Sequence, residues 1–204
     1  MVDHVSKNPA TEGTHTGRFA SVHVAADLRE RMWTLAATAW EQMEMRIGVT
    51  GHMNITEATA PLVYKAVRGL LDEHDPDSLV GVSCIARGSD SVFAQAVLDA
   101  GGQLEVVLPS RNYRETKVKP DHAETFDDLI GRAAQVRVMD FDDAGREAYE
   151  AANDAVVGSV DRLVAVWDGD AGQKAGTGSV VELARERGVP VDVVWPEGAA
   201  RSPG

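Results

Sequence analysis

From Arg46 onward, short valine-rich apolar runs alternate with longer stretches in which apolar residues recur every three to four positions. The runs are Arg46–Thr50, Leu79–Cys84, Leu104–Leu108, Val136–Met139, Leu163–Trp167 and Val191–Trp195. They are too short for helices and largely apolar, the pattern of strands covered on both faces. Helical spacing fills the gaps: Ala58–His74 (Leu62, Ala66, Leu70), Ser91–Ala100 (Phe93, Ala94, Val97), Ala123–Ala134, Ala144–Val160 and Ser179–Arg187. Gly101-Gly102 and Gly188-Val189-Pro190 stop two of these helices, because glycine takes up the left-handed cap and proline cannot continue the spiral. Strands separated by helices pair in parallel. The predicted fold is therefore α/β: a Rossmann-like, doubly wound, mostly parallel sheet of about six strands with helices on both faces.

Ahead of the first strand the pattern changes. Residues 1–20 lack periodicity and are read as a disordered tail, whereas 21–44 read as an N-terminal helix with Leu28, Met32, Leu35, Ala36 and Trp40 on one stripe. That stripe, with Trp33 beside it, is either an ordinary core-facing surface or the interface of a homo-oligomer. The Rossmann-like domain is expected over 45–198, and the Gly/Ala/Pro-rich end, 199–204, is expected to be flexible.

Composition narrows the partners. The formal net charge of −12 argues against sequence-independent binding to DNA or RNA, which rests on lysine and arginine neutralising phosphates. The expectation is thus a small-molecule nucleotide ligand and no duplex nucleic acid. A single cysteine, Cys84, gives no disulfide framework, and it is read as a packed side chain at the end of a buried strand. The N-terminus has no apolar signal core and no run approaches a membrane span, so the chain reads as cytoplasmic. Six histidines lack paired metal-ligand spacing, so no metal is expected.

In an open α/β sheet, ligands bind outside the carboxyl ends of the strands, so the residues that follow each strand matter most. Here they include Thr50-Gly51-His52, Arg87-Gly88-Ser89-Asp90, Tyr113, Asp168-Gly169 and Gly176-Thr177-Gly178-Ser179. Glycine allows close backbone approach, and free N–H groups at a helix start favour an anion. Arg87 is either a phosphate contact or a surface arginine paired to a carboxylate such as Asp90. Asp90 is either a ligand contact or a helix-start acid complementing the dipole. His52 is a phosphate contact, an acid, or a structural hydrogen bonder. The basic run Arg111, Arg114, Lys117, Lys119 either closes over an anion, with Tyr113 stacking on a base, or is a solvated loop. Neither a Walker phosphate loop nor a G-x-G-x-x-G fingerprint is present, which disfavours ATP hydrolysis and hydride transfer.

These loops resemble a known group. Ser83-x-x-Ala86-Arg87-Gly88-Ser89-Asp90, followed by Phe93-Ala94-x-Ala96-x-Leu98-x-x-Gly101-Gly102, is similar to the central signature of the SLOG superfamily. Arg46-Ile-Gly48-Val-Thr50-Gly51-His52 resembles its first strand and loop. Asp161-x-Leu163-x-Ala165-x-Trp167-Asp168-Gly169 with Gly176-Thr177 resembles its last ligand loop. The group includes DNA-uptake recombination mediators, LONELY GUY phosphoribohydrolases and bacterial nucleotide-sensing domains. The resemblance implies a Rossmann-like fold and a ligand of the nucleoside phosphate, NAD or ADP-ribose kind, with no cofactor required. Laid on the phosphoribohydrolase motif P-G-G-x-G-T-x-x-E, this chain has Val180 where the glutamate belongs. In the deoxyribosyltransferase register, Glu182 becomes the nucleophile and Asp168 positions the sugar or base. The expected function is nucleotide-type ligand binding or sensing, with cleavage or transfer at an N-glycosidic bond by Glu182 and Asp168 as the alternative.

Overall fold

The computed structural model describes residues 44–170 and 176–203. The expected tail (1–20) and N-terminal helix (21–44, all but Glu44), with the oligomer interface expected of that helix, lie outside the described residues.

Among the described residues six strands and six helices follow one another: β1 (Met45–Gly51), α1 (Thr59–Leu71), β2 (Leu79–Ser83), α2 (Ser89–Asp99), β3 (Gln103–Leu108), α3 (Tyr113–Lys117), α4 (Pro120–Arg132), β4 (Gln135–Val138), α5 (Arg146–Val157), β5 (Arg162–Val166), α6 (Thr177–Glu186) and β6 (Val191–Val194), with a 3-10 turn at Pro76–Ser78. All strand pairs are parallel, in the order β4-β3-β2-β1-β5-β6. The α/β Rossmann-like reading holds. The sheet grows outward from β1 in one direction through β4, then returns to place β5 on β1's other side. The strand ends of β1 and β5 therefore flank the switch point, where neighbouring connections leave toward opposite faces and open a crevice.

Alternation along the strands sorts the core. Ile47 and Val49 of β1 join Val63, Val67 and Leu71 of α1 and Phe93 and Val97 of α2 on one face. Leu104, Val106 and Leu108 of β3 extend that face under Phe126 and Leu129 of α4. Val80, Val82 and Val107 turn the other way, against Ala152 and Val156 of α5, and Leu163 meets Val180 and Ala184 of α6. The domain is a three-layer sandwich.

Two expectations need correcting. The fourth apolar run has the pattern of a strand covered on both faces, but all of β4 is exposed, with Val136 and Val138 at 41% and 46%, because it forms the sheet edge. The segment 199–204 has the composition of a flexible end, yet Arg201 bridges antiparallel to Ile55. The Ser202 N–H donates to the Asn54 carbonyl (2.7 Å), and the Ala200 N–H donates to Thr59 Oγ1 (2.8 Å). Backbone pairing, invisible in a Gly/Ala/Pro composition, anchors this end. No described helix is long and apolar enough to cross a membrane.

Candidate functional site

At the switch point a cleft of about 390 Å³ opens among the ends of β1, β2 and β5 and the start of α6. Its walls include Thr50, Gly51, His52, Asp90, Tyr113, Gly176, Thr177 and Gly178, all singled out from the sequence. Cys84, Tyr149, Asn153, Trp167, Asp170 and Arg201 also line it, as do Met53 and Ala86.

Close backbone packing shapes the floor. A Cβ on Gly51 would lie 2.6 Å from Ser89 Cβ and 2.8 Å from Val166 Cβ, so no side chain fits between β5 and α2. Gly88 takes φ +85°, and a Cβ there would meet the Met53 carbonyl oxygen at 2.5 Å. Both glycines serve the same end: the loop after β1 lies directly on the start of α2. The buried Ser89 clamps this contact, its N–H and hydroxyl both donating to the His52 carbonyl (3.3 and 2.8 Å). Ser89 and Gly88 thus support the loop and do not line the cleft.

A polar chain crosses the switch point. His52 Nε2 donates to Asp168 Oδ1 (3.0 Å), and Arg201 Nε donates to the other carboxylate oxygen (2.9 Å). Trp195 packs edge-on against the His52 ring, centroids 5.6 Å apart. Burial works against the Asp168 charge, but the Asp170 N–H, the His52 ring and the Arg201 guanidinium outweigh it and hold the carboxyl below the usual carboxylate range. Asp168 itself does not line the cleft; it fixes the two side chains that do.

Helix α6 begins at the cleft with Gly176 as an N-cap that offers no side-chain acceptor to the first amides. The Ser179 N–H donates to the Gly176 carbonyl (3.0 Å), and the helix start is the positive end of the dipole, which favours an anion. On the opposite wall, burial pushes the half-buried Asp90 carboxyl up to about 7, although the Ala86 N–H favours its charge. Burial also pushes up the Cys84 thiol and the Tyr113 hydroxyl, so both are uncharged at neutral pH. Cys84, just past the end of β2, stands half-buried in the cleft wall with a neutral thiol.

Several expected contacts fall elsewhere. Glu182 is exposed on α6 and does not line the cleft, because the helix turns it outward while Val180, Val181 and Ala184 face the core. It is not placed to attack a sugar held there. The exposed Ser179 turns its hydroxyl back onto the Gly176 carbonyl (2.7 Å), and Gly169, at φ +83°, only turns the chain after Asp168. Arg87 faces a neighbouring cavity and pairs with Asp121 (3.2 Å), not with Asp90. Tyr113, expected to stack on a base, is buried against Phe126 and Tyr149. Sequence reasoning names Trp167 only within the last-loop motif and misses Tyr149, Asn153 and Arg201. Arg201 stands in a segment whose composition suggests a loose end, and nothing in the sequence signals the α5 pair.

No family model matches the chain and no curated protein matches it in sequence. Solved structures do match. DNA processing protein A (DprA) from Streptococcus pneumoniae superposes with a TM-score of 0.56 at 19% identity, over 76% of this chain and 52% of that one. This chain thus spans about half the length of the pneumococcal protein. DprA from Helicobacter pylori gives 0.57 at 16% identity, over 78% and 69%. A molybdenum cofactor binding protein from Rippkaea orientalis gives 0.47 at 21%, over 74% and 76%. The Helicobacter protein is described as binding single-stranded DNA. That finding corrects the exclusion of nucleic acid drawn above from net charge, because a fold of this kind carries a polynucleotide in at least one protein. Binding depends on the charge local to a surface, and a total of −12 does not describe the rim of any one cavity. Residues 44–170 and 176–203 share the Rossmann-like fold of the DprA structures, the fold that the loop motifs imply.

Proposed function

We propose that the chain binds a nucleotide-derived ligand in the cleft at the switch point, with a phosphate at the start of α6 and the sugar or base toward Asp90 and Tyr149. One observation carries this reading. An uncapped helix start and a His52–Asp168–Arg201 chain open onto a single cleft at the position where open α/β sheets hold their ligands. Helix amides suit an anion, and Arg201 adds a cation whose geometry Asp168 has already fixed, so little ordering cost remains on binding. At about 390 Å³ the cleft lies within the range of about 300–1,000 Å³ usual for small-molecule sites.

Titration calorimetry with AMP and with ADP-ribose, followed by product analysis, tests the reading. Saturable binding is expected, with the ligand recovered intact and affinity reduced by about tenfold or more in Arg201→Ala. Absence of binding by both ligands overturns it. Recovery of free base and sugar phosphate supports the second reading, cleavage at the N-glycosidic bond. In that reading water bonds to the sugar carbon as the C–N bond breaks. Asp90, the cleft carboxyl with a pKa near neutrality, gives its proton to the leaving base in place of the outward-facing Glu182, and the proton released by the water restores the carboxyl.

A further inference from the structure

Beside the cleft lies a second cavity of about 270 Å³. Met53, Ala86 and Tyr113 line both, so the two share a wall. Its inner surface is apolar, from Ile85 and Val118, and its rim carries Arg87, Lys117 and Lys119. In a chain of net charge −12, three cations around one opening do not follow from composition. Arg87 pairs with Asp121, but both side chains are more than half exposed, so the pair is weak and exchangeable. Lys117 and Lys119 form no ion pair among the described residues.

Two buried features mark this cavity as built. His122, 8% exposed, lines it and directs Nε2 to the Ile85 carbonyl (3.1 Å) and to Ser91 Oγ (3.4 Å). A carbonyl only accepts, so Nε2 carries the proton. The His122 ring thus enters the cavity wall held by its Nε2 side. Ile85 itself sits at φ +45°, a left-handed conformation that a β-branched residue avoids. Ser83 Oγ accepts its N–H (2.9 Å), while His122 and Ser91 hold its carbonyl. A strained residue held this firmly in the wall of the second cavity, next to the shared Ala86, is the kind of feature that a binding function maintains.

Resting on the nucleotide reading for the first cleft, we infer that the ligand is bipartite: two nucleotide units joined through phosphate, the second seated in the Ile85–His122 cavity with its phosphate against Lys117 and Lys119. Alone, the second cavity falls below the range of about 300–1,000 Å³ usual for small-molecule sites, whereas as an extension of the first it suits the second half of such a molecule. The linkage joining two units across a shared wall makes the second contact intramolecular, which raises affinity without demanding a strong second site.

Calorimetry on the full chain tests this with AMP, ADP-ribose, NAD and the dinucleotide pApA, on wild type and on Lys117→Ala/Lys119→Ala. The surface position of both lysines keeps folding out of the comparison, and a thermal melt checks it. The expected result is that at least one two-unit ligand binds about tenfold or more tighter than AMP, and that the double variant brings this advantage below about threefold. NAD in that role identifies a pyrophosphate-linked ligand and pApA a phosphodiester-linked one, with ADP-ribose, which lacks the second base, as the one-nucleotide comparison. Equal affinity of AMP and every two-unit ligand overturns the second subsite and leaves the nucleotide reading standing, as does an advantage that survives the double variant. No binding by any of the four overturns both.

Discussion

At the residue scale, Asp90 makes the sharpest statement. Its carboxyl titrates near 7 in the folded protein and near 3.8 when unfolded, so between these values the native state binds the proton and the unfolded chain does not. Asp90 therefore costs stability as pH rises from about 4 to about 7, and that cost stays in place above. Its neighbours Cys84 and Tyr113 remain neutral there, so they supply no opposing titration. Replacing Asp90 by Asn, equal in size and uncharged, is expected to stabilise the protein at pH 8 by on the order of 2 kcal/mol, allowing for water at its exposed edge, and to leave it unchanged at pH 4. Urea melts at the two pH values check this; an equal effect at both would show that charge is not the cause. Sequence reasoning places Asp90 at the ligand edge of the sheet but does not reach its desolvation, which comes from the Tyr113–Cys84 side of the fold.

At the scale of elements, the strands are legible because each is a valine-rich run ended by glycine or a polar loop. The observed bounds differ from the expected ones by a residue or so. Helix α3 is not legible: Tyr113–Lys117 is short and basic, and only the burial of Tyr113 in the α4 core winds it. Arg87 and Glu182 show a further limit. Both stand in the right loops by sequence, but the direction of a side chain is set by packing partners far along the chain: Asp121 for Arg87, and the α5–α6 core that turns Glu182 outward. The C-terminal segment misleads for the same reason, since its partners, Asn54 to Thr59, lie well over a hundred residues away. Ending the chain after Ala199 is expected to remove these bonds and the Arg201–Asp168 contact, at a cost of about 1–3 kcal/mol. Tm would fall by about 2–4 °C for each kcal/mol. A melting scan reads it, and an unchanged Tm would mean that the segment contributes nothing to the fold.

For the whole molecule, topology does most of the explaining. A sheet that runs β4-β3-β2-β1 and then resumes at β5 must open a crevice beside β1, and the glycine-marked loops all converge there. Periodicity and the SLOG-like motifs make this much readable in the sequence alone. The chemistry on the far side of Tyr113 is not readable as a site, because the Lys117–Lys119 run looks like a solvated loop until the fold sets it over Ile85 and His122. Net charge is the least informative quantity, since it averages an acidic exterior with a basic rim.

The central claim, that the switch-point cleft takes a nucleotide-derived ligand, is tested most directly by a thermal-shift series of the full chain with AMP, ADP, NAD and ADP-ribose. A ligand at one hundred times its dissociation constant adds about 2.7 kcal/mol, which for a chain of this size raises Tm by about 5–10 °C. Such a shift is expected with at least one of the four, strongly reduced in Arg201→Ala. A flat response to all four at millimolar concentration would contradict the claim.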